Sequence, residues 1–235
     1  MTQCYYIKDD ELGQVKVMVN PRAKRLTFRS KDSGLCVTVP VGCGKDELLN
    51  VMGKMRPRLL DQMQKYSRRM IDLSFRLKTP YFCLSFVEEQ VDRFFVRKDT
   101  PGMIEVVCPQ KTNFEEHHVQ TWLSKVVEEI LRERAQQILP LKLAQLARSR
   151  DLSFRTVKIN RSKTRWGSCS ADKNINLSLY VLTLPEALID YVLLHELCHT
   201  VEMNHGNAFW ALLDQSMSGS AMALRQDLKR YRTTF

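Results

Sequence analysis

The residues of this chain best suited to chemistry lie together at His195-Glu196-Leu197-Cys198-His199. On a helix, residues four positions apart lie one above the other, so both imidazoles can reach one zinc ion at about 2.0 to 2.1 Å. Glu196 lies beside that face, where its carboxylate can act as a general base toward water instead of binding the metal. Zinc lowers the pKa of a bound water toward about 7, and Glu196 would take its proton and return it to the leaving amine. The pattern predicts a catalytic zinc site.

A third metal ligand is expected at His205, six residues after His199. The flanking residues, Asn204 and Gly206, both tolerate the left-handed backbone that ends a helix and turns a following side chain back toward the helix axis. Three protein ligands with one open position are typical of catalytic zinc sites, whereas structural sites usually have four. We therefore expect one zinc ion per chain, bound by His195, His199 and His205.

A helix must carry this motif, and the sequence predicts one from Pro185 to about Glu202, with apolar residues at helical spacing. A long helix is predicted before it, and Pro140 should kink or split that helix. The remaining predicted elements of the second half are strands. The long helix spans residues 114–147, and the strands span 157–159, 165–169 and 175–181.

The first half of the chain is predicted to be rich in strands, with one helix from Lys45 to about Met70 that Pro57 can kink. The first three strands, separated by turns at Asn20-Pro21 and Asp32-Ser33-Gly34, are predicted to form an antiparallel meander. The last two strands are joined by a turn at residues 98–102. These strands span residues 14–19, 25–29, 35–39, 81–87, 93–96 and 103–107. We expect a β-rich region at 1–112 and a catalytic region at 113–235.

Composition restricts the class of protein. Hydrophobic residues make up 44% and charged residues 26% of the chain, as in soluble globular proteins. No apolar run approaches the roughly 18 to 20 residues that span a bilayer, and we expect a cytoplasmic protein without membrane attachment. The seven cysteines are an odd number and include no CxxC pair, so neither a disulfide framework nor a thiolate zinc site is indicated. The net charge of +10 favours acidic partners such as nucleic acid, although solubility explains it equally well.

Several segments together resemble the YgjP-like metallopeptidase family, and the resemblance covers nearly the whole chain. They are Arg161-Ser-Lys-Thr-Arg-Trp-Gly-Ser-Cys-Ser170, Asn174-Ile-Asn-Leu177, Ile189-Asp-Tyr-Val192 and HELCHTVEMNHGNAFW at 195–210. The chain is also distantly similar to SprT-like proteases, some of which associate with DNA. The HExxHx5H spacing occurs in metzincins too, but Glu202 replaces their glycine and no Met-turn is evident, so we reject that assignment.

The YgjP-like resemblance implies an α+β fold. In it, a zincin-like catalytic region places the active-site helix beside a small antiparallel sheet, next to a β-rich N-terminal part. In zincins an edge strand beside this helix commonly aligns an extended substrate, and by resemblance that strand is 175–181 here. The 165–168 stretch either shapes the substrate cleft or packs a strand against the helix, with glycine permitting close approach. The candidate substrate-binding residues are Arg165, Trp166, Ser168, Asn176, Ser178 and Asn207.

Three functions remain open on the sequence. The first is a zinc metallopeptidase acting on peptides or proteins. The second is a metal-dependent nucleotide phosphoanhydride hydrolase, in which Arg161, Lys163 and Arg165 grip phosphate. The third is a basic nucleic-acid-binding protein with a non-catalytic zinc site, whose binding would weaken steeply with salt and survive Glu196→Ala. Three ligands together with a glutamate outside the ligand set favour a catalytic zinc site over a structural one, and the family resemblance favours the peptidase.

Overall fold

The computed structural model describes residues 4–31, 34–66, 70–217 and 220–235. The chain divides into two compact units, residues 1–69 and 70–235. Both units contain helices and strands, which confirms the α+β class. The boundary predicted after residue 112 lies inside the second unit and, as a domain boundary, stays a prediction.

The first unit is a four-stranded sheet followed by one helix. Its elements are β1 (Cys4–Asp9), β2 (Gly13–Val19), β3 (Thr27–Lys31), β4 (Gly34–Val39) and α1 (Lys45–Tyr66). The strand order is β1-β2-β4-β3, and β2 pairs with β4 in parallel. The predicted antiparallel meander is therefore wrong. Alternating apolar residues identify the buried face of each strand but not its neighbours, and β4 returns from β3 to lie between β3 and β2.

The core of this unit forms between one face of the sheet and α1. Val17 and Val37 are cross-strand partners, and both are buried with Leu48, Met52 and Leu59 of α1. This helix continues past Pro57. The predicted turn residues Asp32 and Ser33 lie outside the described residues. So do residues 67–69, which belong to the last turn of the helix that was predicted to reach about Met70.

The second unit begins with another four-stranded sheet and the long helix. The elements are β5 (Arg76–Lys78), β6 (Cys83–Glu89), β7 (Phe95–Arg97), β8 (Met103–Pro109) and α2 (His117–Ser149). The predicted pairing of the two strands around residues 98–102 is confirmed, because β7 and β8 are antiparallel. The long helix is not split at Pro140. Its buried residues recur every three to four positions, as at Leu139 and Leu143, so one face of α2 packs into the core.

The rest of the second unit carries the predicted chemistry. Its elements are β9 (Thr156–Asn160), β10 (Gly167–Cys169), β11 (Asn174–Ser178), a 3₁₀ turn (Leu179–Thr183), α3 (Glu186–Cys198), α4 (Asn207–Ser216) and α5 (Ala221–Leu228). The order of the small sheet is β10-β11-β9, and it is mixed instead of antiparallel because β11 pairs with β9 in parallel. The strand predicted at the edge, β11, is its central strand, so that prediction is wrong. The strand at the edge beside α3 is β10.

Among the helices that the structure describes, none combines the length and the apolar character needed to cross a membrane.

Candidate metal centre and active site

The helix α3 carries two of the three predicted ligands at its C-terminal end. Most of its residues are apolar and buried, including Leu194 and Leu197, so the helix is held on several sides by the core. It ends at Cys198, earlier than predicted, and His199 is the capping residue. The chain then turns through backbone hydrogen bonds from Val201 and Glu202 to the Cys198 carbonyl oxygen, 3.0 and 2.8 Å long.

The turn that brings back His205 uses ordinary backbone geometry. Among the described residues, positive φ angles occur elsewhere in the chain, and neither Asn204 nor Gly206 has one. Gly206 is extended, with φ −80° and ψ −175°, and precedes α4. The prediction of a left-handed backbone at Asn204 and Gly206 is therefore wrong. The turn is instead closed by the two hydrogen bonds to the Cys198 carbonyl oxygen.

The three imidazoles converge on one point. The Nε2 atom of His195 lies 3.2 Å from Nε2 of His199 and 3.1 Å from Nε2 of His205. All three ligand nitrogens lie within 4.8 Å of one another. Tetrahedral zinc with Zn–N distances near 2.05 Å requires nitrogens about 3.3 Å apart. The two Nε2 pairs that include His195 therefore have the spacing that a shared zinc ion requires.

The protonation of His199 also fits metal binding. Its Nδ1 atom lies 3.0 Å from the backbone carbonyl oxygen of Glu202, which can only accept a hydrogen bond. Neutral His199 therefore carries its proton on Nδ1 and leaves the Nε2 lone pair free for a metal. In the sequence, Glu202 was notable only because metzincins have a glycine at that position. Its contact with His199 is made by its backbone carbonyl oxygen, so the pattern of side chains does not reveal it.

Two aromatic residues of α4 support the ligands. Phe209 is fully buried, and its ring centroid lies 5.0, 4.5 and 4.7 Å from those of His195, His199 and His205, respectively. The indole Nε1–H of Trp210 donates to the backbone oxygen of His205 at 3.2 Å. Phe209 belongs to the core of the second unit and so anchors the helix that follows the ligand. Its contact with all three ligands was not predicted.

Glu196 lies in an apolar environment beside this cluster. It is buried, and its Oε2 atom has no hydrogen-bond partner among the described residues. Burial raises the pKa of Glu196 to about 8, while the positive charge of Arg165 opposes that shift. Burial, together with the neighbouring histidines, lowers the pKa of His195 to about 3, which keeps its imidazole neutral and able to bind a metal near neutral pH.

Gly167 of β10 makes room for the Glu196 side chain. A Cβ atom added at Gly167 would lie 2.6 Å from Oε1 of Glu196, closer than real side chains approach. The backbone of β10 is antiparallel to β11, with Gly167 opposite Leu177. The predicted close approach of a strand to the active-site helix is confirmed at this glycine.

The candidate substrate residues around β10 differ in their surroundings. Arg165 is exposed and has no ion-pair partner among the described residues. Trp166 is partly buried against the core, and its backbone oxygen accepts a hydrogen bond from the Ser178 amide at 2.8 Å. Ser168 is partly buried on β10, opposite Asn176 of β11. As substrate contacts these residues stay predictions.

The two remaining candidates lie apart from one another. The buried Ser178 hydroxyl donates to the backbone oxygen of Ser162 at 2.7 Å, so it already has a structural partner. Asn207 is exposed at the start of α4, two residues after His205. Their contact with substrate also stays a prediction.

The cations suggested for phosphate binding are mostly paired. Arg161 lies 2.6 Å from a Glu129 carboxylate oxygen, and Lys163 lies 2.9 Å from one of Glu128. Both glutamates belong to α2. Only Arg165 of the three lacks such a partner among the described residues.

Comparison with known proteins identifies the family. The model of the family described as "YgjP-like, metallopeptidase domain" matches residues 24–231. The chain belongs to this family. It is therefore a metallopeptidase, and the predicted resemblance is confirmed. A search of curated proteins finds no match.

Two solved structures are similar over part of the chain. The metallopeptidase zymogen abylysin of Pyrococcus abyssi is 22% identical, with a TM-score of 0.36 over 40% of this chain and 94% of that chain. The metallopeptidase zymogen jannalysin of Methanocaldococcus jannaschii is 23% identical, with a TM-score of 0.35 over 39% of this chain and 94% of that chain.

Proposed function

We propose that this metallopeptidase hydrolyses peptide bonds with one zinc ion bound by His195, His199 and His205, and with Glu196 as general base. The observation that carries the proposal is the convergence of three Nε2 atoms beside a buried carboxylate whose Oε2 atom has no hydrogen-bond partner among the described residues. Three histidine ligands leave one position open, as catalytic zinc sites require. A carboxylate next to the cluster supplies the base that water activation needs.

Zinc bound at this site would polarise the scissile carbonyl group and lower the pKa of the attacking water. Glu196 accepts a proton from that water as its oxygen attacks the carbonyl carbon. Glu196 then donates the proton to the leaving nitrogen, so the carboxylate is regenerated when the C–N bond breaks. The apolar surroundings raise the pKa of Glu196, which makes its carboxylate a stronger base than that of an exposed glutamate.

The exposed edge of β10 supports an extended peptide as the substrate. Among the described strands, β10 pairs with β11 alone, so its other edge has backbone groups available for an added strand. Gly167 on this strand lies against Glu196, which brings the edge close to the proposed general base. A peptide paired with β10 would therefore lie beside Glu196.

The test measures zinc content and turnover in the same preparations. Wild-type protein should contain about one zinc per chain and cleave members of a peptide library. His205→Ala should lose most of its zinc. Glu196→Gln should keep the zinc and lose turnover by roughly 10²- to 10⁴-fold, the usual contribution of general acid–base catalysis. Glu186→Gln, on the exposed first turn of the same helix, is the matched control and should keep both.

Wild-type protein that neither contains nor takes up zinc would overturn the metal site. Zinc retention with unchanged peptide cleavage in Glu196→Gln would overturn the role of the base. Nucleoside triphosphates belong in the same panel, because their Glu196-dependent turnover without peptide cleavage would assign the site to a different bond.

A further inference from the structure

The first unit carries most of the net positive charge of the protein. Residues 1–69 contain 14 Lys and Arg against 7 Asp and Glu, a net charge of +7 out of the +10 of the whole chain. The peptidase site lies entirely in the other unit. The charge of the first unit therefore calls for an explanation separate from the chemistry at His195.

The register of the sheet places several of these cations on one face. Tyr6 is opposite Lys16, Lys16 is opposite Cys36, and Cys36 is opposite Arg29. Direct cross-strand partners share a face, so these four residues form one row across β1, β2, β4 and β3. The neighbouring positions, such as Val17 and Val37, point to the other face and pack with α1. We call the face that carries the row the outer face.

The outer face combines cations with an exposed aromatic ring, and none of the described residues assigned to it is acidic. The two positions that flank Tyr6 and Lys16 along their strands add Lys8 and Gln14, which are also paired with one another. Tyr6 is 57% exposed, and the Lys16 ammonium group lies 5.9 Å from its ring centroid. The side chains assigned to this face are Cys4, Tyr6, Lys8, Gln14, Lys16, Met18, Thr27, Arg29, Cys36 and Thr38.

Among the described residues, the cations of this face, Lys8, Lys16 and Arg29, have no carboxylate partner. Three acidic residues follow Lys8 in the sequence, and two of them, Asp9 and Glu11, are bound by Arg56 of α1 at 2.8 and 2.6 Å. These two carboxylates are therefore paired with the helix and not with the cations of the outer face.

This arrangement of cations around an exposed aromatic ring is suited to binding single-stranded nucleic acid. Strands about 4.8 Å apart place Lys16 and Arg29, which are two strands apart, at a separation of about 10 Å, so the cations can contact successive phosphates. An exposed aromatic ring gives a base a surface on which to stack without reading its sequence. Exposed basic residues at Arg22, Lys24 and Arg25, in the loop between β2 and β3, extend the cationic surface at one end of the sheet.

We propose that the outer face of the β1–β4 sheet binds single-stranded nucleic acid, with Lys8, Lys16 and Arg29 on phosphates and Tyr6 stacked on a base. Charge complementarity identifies the occupant as a polyanion, and the exposed ring among the cations favours unpaired bases over a lipid surface. This binding is independent of the peptidase chemistry. The protein therefore combines a hydrolytic site in one unit with a nucleic-acid-binding surface in the other.

The experiment compares two triple variants of equal net charge. Lys8→Gln/Lys16→Gln/Arg29→Gln removes the cations of the outer face. Lys45→Gln/Lys54→Gln/Arg58→Gln removes three exposed cations of α1. Binding of the full-length protein to a fluorescent 15-mer of deoxythymidine is measured by anisotropy over a range of salt concentrations, and thermal unfolding checks that each variant is folded.

The outer-face variant should lower the magnitude of the slope of log K against log salt by about 2, because each phosphate contact to a single strand contributes about 0.7. The α1 variant should keep the wild-type slope and affinity within about twofold. Tyr6→Leu should weaken binding by about tenfold, the typical loss of one base stack. Glu196→Gln should bind like wild type even if the proposed peptidase mechanism fails.

Three results would overturn the proposal. Equal losses in the two triple variants would mean that binding follows net charge and not the outer face. Tighter binding to a blunt duplex, unaffected by Tyr6→Leu, would exclude single-strand stacking. Failure to bind the oligonucleotide, together with binding to phosphatidylserine vesicles, would assign the face to a membrane surface.

Discussion

Replacing Gly167 with alanine tests whether the position of Glu196 controls catalysis. The new Cβ would lie 2.6 Å from Oε1, 2.7 Å from Cγ and 2.8 Å from Cδ of Glu196. Ordinary contact begins near 3.4 Å, so Oε1 must move by about 0.8 Å. The backbone at Gly167 is not in the left-handed region, so alanine adds crowding without backbone strain. The three atoms nearest to the added Cβ all belong to the Glu196 side chain, so this side chain must move.

A displacement of this size should be costly for catalysis. A misplacement of 1 Å can lower a rate by about 100-fold, which corresponds to about 2.7 kcal/mol of transition-state stabilisation. We therefore expect kcat/KM of Gly167→Ala to fall by about 100-fold on the best peptide found in the library. Zinc affinity should change by less than about threefold, because the atoms nearest to the added methyl group belong to Glu196 and not to the three histidines.

The matched control is Gly206→Ala, beside the ligand His205. A Cβ atom there meets nothing within 4 Å, so this variant should keep most of its activity. Zinc affinity is measured by competition with a chromophoric chelator, and unfolding is followed by circular dichroism. Wild-type turnover in a folded, zinc-loaded Gly167→Ala protein would refute the reasoning. Equal losses in both glycine variants would do so too.

Two further predictions concern a positioning contact and an acid-sensitive ion pair. Trp210→Phe keeps an aromatic ring but removes the hydrogen bond to the His205 backbone oxygen. Zinc should therefore bind about tenfold more weakly in chelator competition, because groups that orient metal ligands typically contribute this much to metal affinity. Unchanged zinc affinity would contradict this role. The guanidinium of Arg56 lowers the pKa of Asp9 from 3.8 to about 2, and the Asp9 side chain is only 10% exposed. Its ionised form therefore contributes up to about 2 kcal/mol of folding free energy, present above pH 4 and lost as the pH falls through 2. Urea unfolding should show a loss of this size between pH 4 and pH 2 in wild type that is absent in Asp9→Asn, and parallel losses in both proteins would refute it.

The features that depend on local backbone geometry could be predicted from the sequence. The pairing of His195 with His199 follows from the helical repeat, which places residues four apart on one face. The hairpin of β7 and β8 was predicted from a turn between two apolar segments. The continuous helix through Pro140 was not predicted, because packing of the surrounding residues can outweigh the local cost of proline.

The neighbours of each strand could not be derived in the same way. Alternation in β4 shows which side chains are buried, but β2 as its parallel partner depends on how the whole unit packs. The family resemblance implied an edge position for β11, whereas pairing with β9 makes it central. A pattern within one strand contains no information about the strand on its far side.

The sequence by itself was sufficient to predict the three histidines as metal ligands, the glutamate beside them and the family, because these predictions need only residue type and short spacing. The tertiary structure alone decided that Gly167 lies against Glu196 and that Phe209 touches all three histidines. It also decided that the carbonyl group of Glu202 orients His199. The physical reason is that a helix brings its own residues together through backbone geometry, whereas contacts between separate elements arise only when their side chains pack into one core.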